Sequence, residues 1–384
     1  MKFKIEKNEL FKLLKFGDRI TSENKGSSFN PILSFLYLKI RKSGSIAICS
    51  NYLASGLYNL DNSKIEIEEE GDILIRPKLL LNIISKLKEK TIILNKFEES
   101  ALNIKTESFN AQINTVDENS FPNTNFDYKN FEEFQISYAT IHKISQKVAW
   151  AALNSGEQAK ILNGVLFDTE TKPGFLSTVA TDSYKLSYLC EPVNISSMFK
   201  FVLDTNIIKI LIDLMKSDSE ADHMTLYLDK QSHCSNIIIK IDNMLLQNKT
   251  IEGAYPTSVY NAFNIAKNTV VKVDRNEFIS SLERGQFFVS NEKNPMVTLN
   301  IHENGIAVDF VSYELGASQE NVKVNHFEGS GLKISLNTVF LINLLKTIEA
   351  EEVVLEFESN TKPVIVYAET DQQFKELVLP LRTN

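Results

Sequence analysis

Six segments of this chain repeat one pattern, and that repetition restricts the fold to an internally symmetric one. Segments 2–17, 133–150 and 270–285 each place a short alternating strand ahead of an amphipathic helix. In all three the last apolar strand position precedes the first apolar helix position by five residues: Ile5 and Leu10, Ile136 and Ile141, Val273 and Phe278. A second family, 71–87, 199–215 and 331–348, keeps the same offset in Ile75 and Leu80, Val202 and Ile207, Ile334 and Val339. Ile5, Ile136 and Val273 lie 131 and 137 residues apart. A supersecondary unit recurring at near-constant spacing marks duplication. The chain therefore reads as three copies of a domain, each made of two half-copies.

Past each helix the chain alternates apolar and polar residues, interrupted by turn signals such as Ser43-Gly44, Lys172-Pro173-Gly174 and Asn304-Gly305. A half-copy is thus one helix with three or four antiparallel strands. Two of them make an α+β domain of two helices packed on antiparallel sheets. Asp274 with Glu277 resembles a capping box, and Asp204 and Asn337 stand where N-caps are needed. The pattern breaks near 121–134 and 261–270, which sets expected domains at 1–127, 128–264 and 265–384.

Hydrophobic residues make up 43% and charged residues 23% of the 384, an ordinary globular composition. No apolar run approaches the roughly 18 residues of a membrane span, and the N-terminus lacks the apolar stretch of a secretory signal. Cys49, Cys190 and Cys234 have unrelated spacings and read as reduced thiols of a cytoplasmic protein. No phosphate-cradling glycine loop, G-x-S-x-G, H-E-x-x-H or C-x-x-C occurs. His233-Cys234 is a lone pair, read as a surface strand position. Neither catalysis, nor a metal, nor a cofactor is expected.

The net charge of −8 argues against a nucleic-acid partner, because affinity for phosphates comes from clustered Lys and Arg. Its distribution argues the other way. Acidic residues gather in 66–71 and 349–352, outside the helices. The first helix carries Lys12, Lys15 and Arg19; the second carries Lys78, Asn82 and Lys86 beside an apolar stripe of Leu80, Ile83, Ile84 and Leu87. His142, Lys143, Gln146 and Lys147 are expected to form a similar face, and Lys209, Lys216, Arg284 and Lys346 continue the series.

Several stretches then point one way: MKFKIEKNEL at the start with Asn30-Pro31-Ile32-Leu33, ILNGVLF at 161–167, VATDSYKL at 179–186, SNEK at 290–293 and LVLPLR at 377–382. In this order, over the whole chain, they resemble the bacterial sliding clamp, the β subunit of DNA polymerase III. The resemblance implies a three-fold repeated clamp domain that forms a ring by head-to-tail homodimerisation. Helices would surround a hole for double-stranded DNA. Polymerase III subunits, the clamp loader and other replication and repair proteins would dock on one face through short apolar peptides. A ring held by topology needs no tight phosphate grip, which removes the objection from net charge.

The resemblance also implies site residues. The partner pocket, between the middle and last domains, falls on Leu162, Thr181, Ser183, Tyr184, Lys185, Leu186, Pro256, Pro363, Val378, Leu379, Pro380, Leu381 and Arg382. The family commonly has Gly-His-Arg in place of Ser183-Tyr184-Lys185 and Met-Pro-Met-Arg in place of Leu379-Pro380-Leu381-Arg382. This chain also continues through Thr383 and Asn384, and carries Asn294 where an aromatic is frequent. Leu adapts less than Met, so a different peptide preference is expected. DNA contacts fall on Lys25, Lys78 and Lys160, and the dimer seam on Phe288 and Val289 facing Ile113. Pro380 cannot donate a ladder hydrogen bond and is expected to leave the sheet edge. The competing readings are an enzyme with a site that no motif reveals, and a protein-interaction scaffold unrelated to DNA.

Overall fold

The computed structural model describes residues 1–22, 30–98, 101–153, 159–194, 198–218, 221–229 and 233–382. Six strand–helix–three-strand units follow one another. The first runs β1 (Lys2–Glu6), α1 (Lys7–Thr21), β2 (Leu36–Ile40), β3 (Ile46–Ser50) and β4 (Ala54–Asn59). An added strand β5 (Ile65–Glu69) leads to β6 (Gly71–Ile75), α2 (Pro77–Lys86), β7 (Thr91–Glu98), β8 (Ala101–Lys105) and β9 (Asn110–Asn114). The third unit is β10 (Glu132–Ser137), α3 (Tyr138–Lys143), β11 (Gly164–Asp168), β12 (Phe175–Thr181) and β13 (Lys185–Pro192). The fourth is β14 (Lys200–Asp204), α4 (Thr205–Asp218), β15 (His223–Leu228), β16 (Asn236–Ile241) and β17 (Met244–Lys249). The fifth is β18 (Thr269–Asp274), α5 (Arg275–Val289), β19 (Met296–His302), β20 (Gly305–Ser312) and β21 (Gly316–Val322). After β22 (Val324–Gly329), the sixth closes the chain with β23 (Leu332–Asn337), α6 (Thr338–Thr347), β24 (Glu352–Phe357), β25 (Val364–Tyr367) and β26 (Phe374–Val378).

Local chemistry explains where the helices begin. The Asp274 carboxylate accepts the backbone N–H of Glu277 at 2.7 Å, and the Asn337 side chain accepts that of Phe340 at 3.1 Å, each satisfying an amide with no intrahelical partner. Pro77 opens α2, where its missing N–H costs nothing.

Among the described residues the strands lie in four antiparallel sheets, and the pairing follows a rule. Each unit's first strand joins the sheet of its sister unit. Thus β1 pairs β7 while β6 pairs β2; β10 pairs β15 while β14 pairs β11; β18 pairs β24 while β23 pairs β19. Last strands make the junctions: β4 pairs β17, and β13 pairs β26. Two last strands are left over, β9 at the edge of the order β5-β1-β7-β8-β9 and β21 at the edge of β21-β20-β19-β23.

The chain forms two compact units, 1–141 with 206–250, and 142–205 with 251–384. In the first, Leu10, Leu13 and Leu14 of α1 and Leu80 and Ile84 of α2 are fully buried. In the second, Phe278 and Leu282 of α5 and Leu341 and Leu345 of α6 fill the same role. Gly285 lies so close to the Phe310 ring that a Cβ there would overlap it. Among the described residues no helix is long and apolar enough to cross a membrane.

Two expectations require correction. The helix starting at Tyr138 widens into a π turn over Ile144–Val148. One extra residue in a turn shifts every later side chain by about 100°. Lys147, expected on the basic face, is therefore buried, with its Nζ 2.9 Å from Asp371 and over the Phe374 ring. His233 and Cys234 are not on a strand: both take left-handed conformations, φ 53° and 57°, and Cys234 is buried.

Candidate functional site

Most of the expected docking residues converge where β13 meets β26. Lys185 lies opposite Val378 and Leu186 opposite Leu377, while Val364, beside Pro363, pairs Val378 from the other flank. Alternation then decides which side chains share a face. Leu186 packs with Leu162, Leu377, Ile365, Tyr255 and Val259 in one apolar cluster, and Pro256 follows Tyr255, exposed. Leu377, Ile365, Tyr255 and Val259 were not anticipated. Leu377, not Val378, lies opposite Leu186 in the ladder and so shares its face.

The loop between β12 and β13 is held by its own side chains. Thr181 Oγ1 donates to the Lys185 carbonyl at 2.6 Å and accepts the Ser183 N–H at 3.0 Å. Asp182 accepts the backbone N–H groups of Tyr184 and Lys185, each at 2.9 Å. Ser183 sits at φ 77°, a conformation suited to the glycine common in the resembling family. These bonds present Tyr184 to solvent at 62% exposure. Lys185 does not line the apolar cluster. Its ammonium donates to the Ala151 carbonyl at 3.1 Å and to Asp182 at 2.5 Å, and stands over the Trp150 and Phe340 rings. With 7% exposure this cation is used inside the chain.

Beyond Val378 the chain leaves the ladder before Pro380. Leu379 N–H donates to the Tyr184 carbonyl and Leu381 N–H to the Ser335 carbonyl, both at 2.8 Å. Leu379, Pro380 and Leu381 are half-buried and Arg382 is exposed. The result is a buried apolar cluster holding Leu162, Leu186 and Leu377, followed in the chain by a half-buried Leu-Pro-Leu segment and flanked in sequence by an exposed tyrosine. Such a surface suits a short segment with apolar anchors.

The basic face is clearest on α2, where Lys78, Asn82 and Lys86 are exposed and the first turn holds no acidic residue. Arg76, Lys78 and Asn82 help line a cavity of about 420 Å³ beside α1. Lys160 is exposed at the start of a short helical turn; Lys25 lies outside the described residues. Four other cations of the series are paired: Arg19 with Asp213 at 3.0 Å, Lys143 with Glu191 at 2.6 Å, Arg284 with Glu320 and Lys346 with Glu283, both at 2.7 Å.

At the expected seam, Ile113 sits half-buried on the edge strand β9. Phe288 is half-buried, while Val289 is 1% exposed within the single chain. The exposed aromatic of α5 is Phe287, at 77%. Tyr313 and Leu315, just ahead of β21, are also exposed.

Known proteins carry the same organisation. Family models described as the N-terminal, central and C-terminal domains of the DNA polymerase III beta subunit match residues 1–125, 135–257 and 262–382. The chain is 28% identical to the "Beta sliding clamp" of Mycoplasma pneumoniae, over 99% of this chain and 100% of that protein. It is 26% identical to the one from Streptococcus pneumoniae, over 100% and 99%. Among solved structures, the DNA polymerase III beta chain of Streptococcus pneumoniae superposes with a TM-score of 0.90 at 24% identity. The DNA polymerase sliding clamp of Bacillus subtilis does so with 0.90 at 21%, and both comparisons cover each chain completely.

Proposed function

Since three consecutive models of one family tile almost its whole length, this chain belongs to the DNA polymerase III beta subunit family, and we propose that it works as a homodimeric sliding clamp. Two copies close a ring around double-stranded DNA and tether the replicative polymerase. It acts in the cytoplasm without catalysing a reaction, loaded by the clamp loader and shared with other replication and repair proteins that carry short apolar peptides. The expected domains, 1–127, 128–264 and 265–384, are the ring's segments.

The observation that carries this reading is the pair of strands left over by the pairing rule. Junctions within the chain join the last strand of one unit to the last strand of another, β4 to β17 and β13 to β26. Among the described residues, only β21 and β9 of the last strands lack such a partner, and they fall in the last and the first of the expected domains. Pairing β21 of one copy with β9 of a second repeats the same junction twice and closes the assembly, a heterologous contact completed by symmetry. Phe287, Phe288 and Ile113 supply apolar side chains near these edges. A tether of this kind needs no strong contact, because it holds the polymerase at high effective concentration after each dissociation.

The test is topological. Loaded with loader and ATP onto nicked circular DNA, the protein should remain through moderate salt and leave when the circle is cut. Retention indifferent to DNA ends but lost steeply with salt would mean ordinary backbone binding and would overturn the reading.

A further inference from the structure

Glu376 is fully buried in β26, one residue before Leu377 and on the opposite face of the strand. Its Oε1 accepts the indole N–H of Trp150 at 2.7 Å and the hydroxyl of Ser187 at 2.6 Å. Its Oε2 lies 2.6 Å from Oγ1 of Thr347, and that same Oγ1 lies 2.6 Å from the Leu344 carbonyl oxygen.

A threonine hydroxyl has one proton, a carbonyl only accepts, and an ionised carboxylate only accepts. With Glu376 charged, two acceptors would compete for the single Thr347 proton, leaving one short oxygen–oxygen contact without hydrogen. The count closes when Oε2 carries a proton. Glu376 then donates to Thr347, Thr347 donates to Leu344, and Oε1 fills both lone pairs with Trp150 and Ser187.

The cations on the packed elements each have another partner, although Lys147 still favours the charged form of Glu376. Lys147 on the segment before Trp150 is engaged by Asp371, and Lys143 by Glu191. Lys185 of β13 is engaged by Asp182, and Lys346 of α6 by Glu283. Tyr367 of β25 donates to Glu356, and Lys375 of β26 stands over the Tyr367 ring.

We propose that Glu376 is a positioning residue for the docking segment: an uncharged acid that bolts β26 to the Trp150 turn, β13 and the last turn of α6, and so fixes Leu377 and Leu379 at the groove. The proposal rests on the docking reading above. Ionisation leaves the single Thr347 proton to two acceptors, the Glu376 carboxylate and the Leu344 carbonyl, so one short oxygen–oxygen contact goes without hydrogen beside a buried negative charge. The loosened strand is the one that carries Leu377 of the apolar cluster and leads into the Leu-Pro-Leu segment. Gln, which offers an N–H donor and a carbonyl acceptor in nearly the same shape, reproduces the neutral arrangement.

The test is fluorescence anisotropy of a labelled C-terminal polymerase tail, titrated with the intact protein across pH. The wild type should bind roughly tenfold more weakly at about pH 9.5 than at about pH 7. Glu376→Gln should match the wild type at the lower pH and stay flat to the higher one. Glu376→Ala, which takes from Trp150 and Ser187 the carboxyl oxygen they donate to, should be weaker throughout. Carbon-13 NMR of the glutamate carboxyls, with Glu376→Gln for assignment, reads the proton without any partner. A Glu376 resonance that titrates in the ordinary carboxylate range overturns the proposal, as does a pH profile shared by the wild type and Glu376→Gln. A wild type that binds no tail at any pH overturns the docking reading instead.

Discussion

Leu379 donates its backbone N–H to the carbonyl of Tyr184 at 2.8 Å, one residue past the end of β26. That bond continues the β13–β26 register by one residue, and the chain then passes through Pro380 with Leu379 and Leu381 half-buried on either side. Burying a Leu-sized anchor against them is worth roughly 1.5–3 kcal/mol. Replacing both with Ala, or deleting 381–384, should therefore weaken binding of a labelled polymerase tail about tenfold or more. Sedimentation of the same variants should still report a dimer. Undiminished tail affinity would remove the site from this groove.

The seam should respond to charge at exposed positions and not at buried ones. Phe287→Glu or Ile113→Glu should give folded monomers in sedimentation velocity, with melting temperatures close to that of a dilute wild type. Val289→Asp places a carboxylate in the chain's own core and should instead cost several kcal/mol of stability, as an unpaired buried charge does, and lower the melting temperature sharply. If Phe287→Glu remains dimeric, the β21 edge is not the contact.

Lys78→Glu combined with Lys160→Glu should weaken low-salt association with linear DNA while leaving retention on closed circles largely intact. Exposed ionic contacts are individually worth about 0–1 kcal/mol, and each lost phosphate contact lowers the salt slope by about 0.9. Gel-shift titrations at several salt concentrations measure the slope, and filtration of loaded circles measures retention. A double variant that no longer stays on circles would show the lysines to be more than surface contacts.

Burial pushes the Glu376 carboxyl up to about 8, against lowering contributions from Ser187, Thr347, Trp150 and Lys147. The folded chain thus keeps a proton that the unfolded chain releases near the ordinary value of 4.5. Stability from this group is complete below that ordinary value and is lost as pH rises through about 8. Glu376→Gln removes the dependence. Its melting temperature, relative to the wild type, should rise steadily across this window and level off above it. Parallel curves for the two proteins would contradict the raised carboxyl.

Much of this fold was legible because a strand followed at fixed distance by a helix leaves a periodic trace. The six helix starts, the Asp274 and Asn337 caps and the alternating strands all follow from residue spacing. The exchange of first strands did not, since a period of two states which face is buried and says nothing about which strand lies alongside. Lys147 escaped because a π turn breaks the 3.6-residue count on which its face was assigned. Val289 and Phe287 differ by two helical positions, enough to trade core for solvent. Phe374, Glu376 and Val378 share one inward face, so the acidic residue among them was a visible anomaly, but its partners Trp150 and Thr347 are too distant in sequence to be named from it.

The exchange of first strands also governs how the chain can fold. β1 must find β7 about ninety residues away, as β18 must find β24 across a similar span. Long-range closures of this kind slow folding, because chain entropy is spent before the contacts that repay it form. A half-copy made alone lacks the strand that completes its sheet and exposes a bare edge where its sister's strand belongs. The interlocked pair, not the half-copy, is therefore the unit in which every first strand finds its partner.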